Sequence, residues 1–91
     1  MPSQILDIIN KKGLHARAAA KLATLATTFS AKIQLRNTTS SNWVDGKSIM
    51  SIMLLAAGCG SQIEVNIDGE DADSALSAIT ALVANRFEED E

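Results

Sequence analysis

The hydrophobic period changes repeatedly along this chain, and the order of the changes limits the folds open to it. Residues 4–9 read as a short strand, followed by a polar turn from Asn10 to Gly13. From His15 to Phe29 the run is rich in Ala, and Ala19, Leu22, Ala23, Ala26 and Phe29 recur at helix spacing. Lys32 to Arg36 alternates, with Ile33 and Leu35 on one face. Asn37 to Asn42 is a polar turn, so Trp43 and Val44 are expected to open the second strand of a hairpin, with Trp43 packing at a sheet edge. Residues 47–57 read as a short helix ended by Gly58. Gln62 to Ile67 alternates again, with Ile63, Val65 and Ile67 inward. A final helix begins near Asp71, and Ala72, Ala75, Leu76, Ile79, Leu82, Val83 and Phe87 form its single apolar stripe. The order βαββαβα fits an α+β open-faced sandwich, an antiparallel sheet with helices on one face. Periodicity alone fits a ferredoxin-like fold equally well.

At 91 residues the chain suits one domain spanning 1–91. A core this small leaves little room for deep clefts, so function is expected on the surface, at a helix end or a loop. Net charge is -3, with one Trp, two Phe, no Tyr and no basic stripe. That composition argues against nucleic-acid binding. The acidic run Glu88, Glu89, Asp90 and Glu91 reads as a solvated C-terminal end. No segment approaches the ~20 apolar residues that span a membrane, and no secretory leader is visible, so a cytoplasmic protein without membrane insertion is expected. Cys59 stands alone between Gly58 and Gly60, so no disulfide, metal site or cofactor is expected.

The short second helix does not fit a plain core role. At helical spacing Ser48, Ile52 and Leu55 share one side, whereas Ile49, Met50, Met53, Leu54 and Ala57 share the other. A helix lying on an open sheet buries only one side fully. The second side is either covered by neighbouring helices or left as an apolar patch, and Met side chains in such a patch adapt to several partners.

His15, the only histidine, falls where a turn becomes a helix, within Gly13-Leu14-His15-Ala16-Arg17-Ala18-Ala19-Ala20-Lys21. The first N–H groups of a helix lack internal partners and carry partial positive charge. An anion beside His15 would meet free donors of Ala16 to Ala18, and Arg17 adds a cation whose fork matches phosphate oxygens. A neutral imidazole is a usable nucleophile near neutral pH. Phosphoryl transfer needs mainly positioning and charge stabilisation, so a small surface site suffices.

Gly13-Leu14-His15-Ala16-Arg17, followed by Ala19-Ala20-Lys21-Leu22, resembles the active-site segment of the HPr phosphocarriers of the bacterial phosphotransferase system. Gly46-Lys47-Ser48-Ile49-Met50, Leu54-Leu55-Ala56-Ala57, Gly69-Glu70-Asp71 and the final helix ending in Phe87 extend the resemblance over nearly the whole chain. The resemblance implies a four-stranded antiparallel sheet with three helices on one face. It implies a carrier rather than an enzyme: His15 takes a phosphoryl group from enzyme I, with phosphoenolpyruvate as donor, and passes it to IIA-type acceptors. Arg17 matches the phosphate-stabilising residue, and Ala16 and Ala18 match backbone donors. Ser48 matches a serine that a kinase/phosphorylase modifies in part of the family. Ile49, Met50 and Met53 match the partner surface. Leu35-Arg36-Asn37, Gln62-Ile63-Glu64-Val65 and the acidic end resemble the nitrogen-related branch, NPr, which regulates rather than feeds sugar uptake. Sugar transport stays the alternative.

Two other readings compete. A regulatory binding module of the same fold would use the second-helix patch without carrying phosphate. A hydrolase with His15 as base lacks a Ser or Cys nucleophile with an orienting carboxylate beside it.

The family usually has Pro where this chain has Ala18. Ala restores one N–H to the anion site but leaves the unfolded chain freer by roughly 0.4–1 kcal/mol. Ala18→Pro is therefore expected to raise the urea midpoint slightly and leave phosphoryl transfer intact. A large loss of transfer would instead give that extra N–H a role.

Overall fold

The computed structural model describes residues 3–88; Glu89, Asp90 and Glu91 of the expected solvated end lie outside them. Four strands, β1 (Ser3–Asp7), β2 (Lys32–Asn37), β3 (Val44–Asp45) and β4 (Gln62–Asp68), form one sheet in the order β1-β4-β2-β3. Every pairing is antiparallel. Three helices, α1 (Ala16–Thr27), α2 (Ile49–Met53) and α3 (Ala72–Ala84), complete the open-faced sandwich. The ferredoxin-like alternative is thereby set aside. Among the described residues no helix is long and apolar enough to cross a membrane.

The core follows from the alternation. Leu6, Ile33, Leu35, Ile63, Val65 and Ile67 point inward and are buried. The buried face of α1 is Ala18, Ala19, Leu22, Ala23 and Ala26, mostly small side chains that let the helix backbone sit close to the sheet. On the open face, Ile5 pairs with Glu64, which pairs with Arg36 in the next strand. Arg36 forms an ion pair with Glu64, and its guanidinium lies 5.3 Å from the Trp43 ring centroid.

Several boundaries differ from expectation. β1 ends at Asp7, although Ile8 continues the pairing by donating to the Ser61 carbonyl at 2.9 Å and is fully buried. Asn37 belongs to β2 rather than to the turn: its Nδ2 donates to the Leu55 carbonyl at 3.0 Å, and its Oδ1 accepts from Thr39. Trp43 lies before β3 instead of opening it, since the ladder with β2 begins at the Leu35–Val44 pair, and its ring lies under the Arg36 guanidinium. α2 is confined to Ile49–Met53, and Gly58 does not end it. Ala56 takes the left-handed conformation there, with φ 51. That early reversal lets Leu55 and Ala57 bury, which a helix continued to Ala57 could not do for both.

α3 likewise stops at Ala84, short of Phe87. Arg86, Phe87 and Glu88 all have positive φ. Left-handed backbone costs about 1–2 kcal/mol per residue. The turn swings Phe87 into the core, where it is fully buried, and aims its carbonyl at Lys21 Nζ, 2.9 Å away. Burying an aromatic ring of that size contributes about 1.5–3 kcal/mol, which offsets much of the strain.

Asp71 stands at the N-terminus of α3, but its carboxylate does not cap that helix. It accepts from Ser30 N at 2.8 Å and Ala31 N at 2.9 Å, tying the loop after α1 to the start of α3. The Ser30 N–H, helped by the Ala31 N–H, holds its pKa below the ordinary value against a smaller opposing effect of desolvation. A carboxyl lowered on folding adds stability above its unfolded pKa of about 3.9, and loses it as pH falls through the lower folded value. Asp71→Asn is therefore expected to lower the urea midpoint at pH 6, and the gap from the parent should close toward pH 3. Parallel midpoint-versus-pH curves would contradict this assignment.

Candidate functional site

His15 is the N-cap residue of α1, with extended backbone (φ -77, ψ 179). Ala19 N donates to the His15 carbonyl at 2.9 Å, the first bond of the helix. Ala16, Arg17 and Ala18 therefore occupy the first turn, where N–H groups have no partner within the helix. His15 makes no side-chain cap bond to them. The usual N-cap side chains, Ser, Thr, Asp and Asn, do make such a bond. The first-turn N–H groups therefore receive no side-chain cap from His15.

His15 is half-buried, and Ala16 and Arg17 are exposed. Ala18, by contrast, is fully buried, and the exposed residues of the first turn are Ala16 and Arg17. Arg17 lines an open groove along α1 with Lys21, Thr24, Thr28, Leu82 and Glu88. Lys21 was not singled out from the sequence. One helical turn beyond Arg17, it is held by the Phe87 carbonyl and by Glu88, 3.8 Å away. Its signal was the i, i+4 spacing from Arg17; its anchor comes from the left-handed turn, which periodicity cannot show.

The segment that presents His15 is tightly held. Gly13 has φ +66, and a Cβ there would meet the Ala57 carbonyl oxygen and Gly58 Cα at 2.6 Å each. Only glycine suits both that conformation and that approach. Leu14 N donates to the Ala57 carbonyl at 2.8 Å, and the Leu14 side chain is buried.

The same contact places α2. Ala57, just after α2, meets Leu14 at the start of α1, and Lys47, just before α2, donates from Nζ to the Phe29 carbonyl at 2.8 Å beyond the end of α1. The two helices therefore run antiparallel, with the Met53–Leu54 end of α2 toward His15. Ile52 and Leu55 face the core. Ile49, Met50, Met53 and Leu54 are exposed, Met50 at 79% and Leu54 at 78%, so the patch is uncovered in this structure. Ala57 is buried and leaves that group, because the chain has turned before reaching it. Leu54, which spacing put on that side although the resemblance matched only Ile49, Met50 and Met53 to a partner surface, belongs to the patch.

Ser48 is the N-cap of α2 and its Oγ accepts from Ser51 N at 3.3 Å. Cys59 is an exposed free thiol. Among the described residues no group of three or more His, Cys, Asp or Glu side chains is placed to hold a metal.

The family model described as the PTS HPr component phosphorylation site matches residues 2–85. The phosphocarrier protein HPr of Pseudomonas aeruginosa is 48% identical over 92 residues, covering 100% of both chains. That of Cupriavidus necator is 50% identical over 84 residues, 92% of each. Among solved structures, HPr of Thermoanaerobacter tengcongensis superposes with a TM-score of 0.93 at 34% identity, covering both chains completely. HPr from Bacillus anthracis superposes with a TM-score of 0.82 at 39% identity, over 88% of this chain and 93% of that one.

Proposed function

The chain belongs to the HPr family of phosphocarriers of the phosphotransferase system, and from that premise we propose that His15 is the residue that carries the phosphoryl group. The observation that carries this reading is the N-cap position of His15 without a side-chain cap bond. Enzyme I, charged from phosphoenolpyruvate, is the donor, and IIA-type proteins are the acceptors. The lone pair of His15 Nδ1, the ring nitrogen nearer the backbone, forms the N–P bond as the bond from phosphorus to the donor breaks. The ring proton stays on Nε2. Phosphate oxygens then meet the N–H groups of Ala16 and Arg17, with Ala18 behind them, and the Arg17 guanidinium. The chain acts as a cytoplasmic group carrier, residues 1–91 forming one HPr domain, and catalyses no reaction on a substrate of its own. It takes no cofactor or metal and engages neither nucleic acid nor membrane.

Donor and acceptors dock on the patch of Ile49, Met50, Met53 and Leu54, whose antiparallel placement brings it beside His15. Ser48 is the regulatory position in this reading. A kinase/phosphorylase acting there would add about −1.5 to −2 charge at the head of α2, next to Ile49 and Met50. A helix N-terminus tolerates that charge, so the fold is kept while docking weakens. The same exposed patch supports a second reading, a binding module that uses it without phosphoryl transfer.

One assay separates the two. With phosphoenolpyruvate and enzyme I, the parent is expected to gain an acid-labile, base-stable phosphate, and His15→Ala none. Failure to label the parent while a control carrier labels would overturn the carrier reading. Labelling retained in His15→Ala would move the site elsewhere.

A further inference from the structure

We infer that Asn10 is a positioning residue for the phosphoryl transfer at His15: its buried amide fixes the direction in which the chain enters α1. This rests on the carrier reading above.

Among the described residues only Asn10 and Asn37 are buried polar side chains, and Asn10 is 0% exposed. Burying a primary amide is unfavourable unless it is hydrogen-bonded. Asn10 Nδ2 donates to the Gly13 carbonyl at 2.7 Å. Gly13 N donates back to the Asn10 carbonyl at 3.1 Å. Residues 10 and 13 are thus locked by two bonds of opposite direction. Beyond the Gly13 carbonyl only Leu14 precedes His15, and Leu14 N is held at the Ala57 carbonyl, 2.8 Å away. The close approach of Gly13 to Ala57 and Gly58 removes slack on the other side.

This arrangement solves a specific problem. A capping side chain normally folds back onto the first turn and so sets how the chain enters its helix. At α1 the capping residue is the one whose ring must stay available, and it makes no such bond. The entry direction has to be set from upstream. Asn10 does this from five positions earlier without occupying the donors of Ala16 and Arg17. Neither Lys11 nor Lys12 could replace it, since both are exposed side chains of the same turn.

The test compares Asn10→Ala with Ile79→Ala, a core change on α3 that also costs stability but does not touch this turn's hydrogen bonds. Each variant is assayed as phosphoryl acceptor of enzyme I, at a temperature where circular dichroism shows both folded. For Asn10→Ala, kcat is expected to fall about tenfold with KM unchanged, because misplacement of a reacting group by an ångström reaches up to a hundredfold. KM stays because the docking patch on α2 is intact. Ile79→Ala should keep the parent kcat. Parent-like kcat in Asn10→Ala, or a rise in KM alone, would overturn the inference. Should Asn10→Ala fail to fold, the parent itself gives the answer by NMR. The Asn10 side-chain amide protons should exchange slowly before and after phosphorylation; rapid exchange in the phosphorylated form would overturn it. A parent that takes no phosphate under these conditions fails the carrier reading instead, and that outcome is visible in the control lane.

Discussion

The hydrogen bond from Leu14 N to the Ala57 carbonyl, 2.8 Å long, joins the two halves of the site. It ties the residue before His15 to the chain leaving α2. Around it, small distances leave no room for variation: Gly13 lies against Ala57 and Gly58, and Asn10 clasps Gly13. A backbone bond in a buried setting contributes about 0.5–1.5 kcal/mol net, but leaving either group unpaired there costs about 1–3 kcal/mol. The contact therefore specifies geometry more than it supplies stability. It makes the histidine and the apolar patch of α2 one surface.

That surface divides its tasks by chemistry. The first turn of α1 offers fixed N–H donors and the Arg17 cation, which suit a small, highly charged group. α2 offers flexible apolar side chains, Met50 and Met53 among them, which suit partners of differing shape. A carrier must meet a donor and an acceptor in turn through the same face. In the proposed reading, adaptable contacts beside fixed N–H donors meet that need. Ser48 stands at the head of the adaptable part, as the N-cap of α2.

Much of this was legible in the sequence, for identifiable reasons. Alternation placed Ile33, Leu35, Ile63, Val65 and Ile67 inward, because a strand on a one-sided core has a strict period of two. Helical spacing divided the second helix, and Ile52, Ile49, Met50 and Met53 lie on the sides assigned to them. The residues that resisted were those whose position depends on a tertiary bond. Phe87 fits the helical stripe by spacing, yet reaches the core through a left-handed turn anchored by Lys21. Gly58 looks like a helix terminator, yet Ala56 turns the chain, because Leu55 and Ala57 both have to bury. Asn10 and Asn37 look like turn residues from composition, and their burial shows only once their amide partners are known. Ala18, expected among the anion donors, is a buried first-turn residue, whereas Ala16 and Arg17 are exposed.

The central claim is that a phosphoryl group on His15 is held by the open first turn of α1. The most direct measurement is nitrogen–phosphorus NMR on nitrogen-15-labelled protein loaded from phosphoenolpyruvate by enzyme I. The account predicts phosphorus coupling to His15 Nδ1, with the amide protons of Ala16 and Arg17 moving downfield as they bond to phosphate oxygens. Coupling at Nε2, or first-turn amides that do not respond to loading, would contradict it.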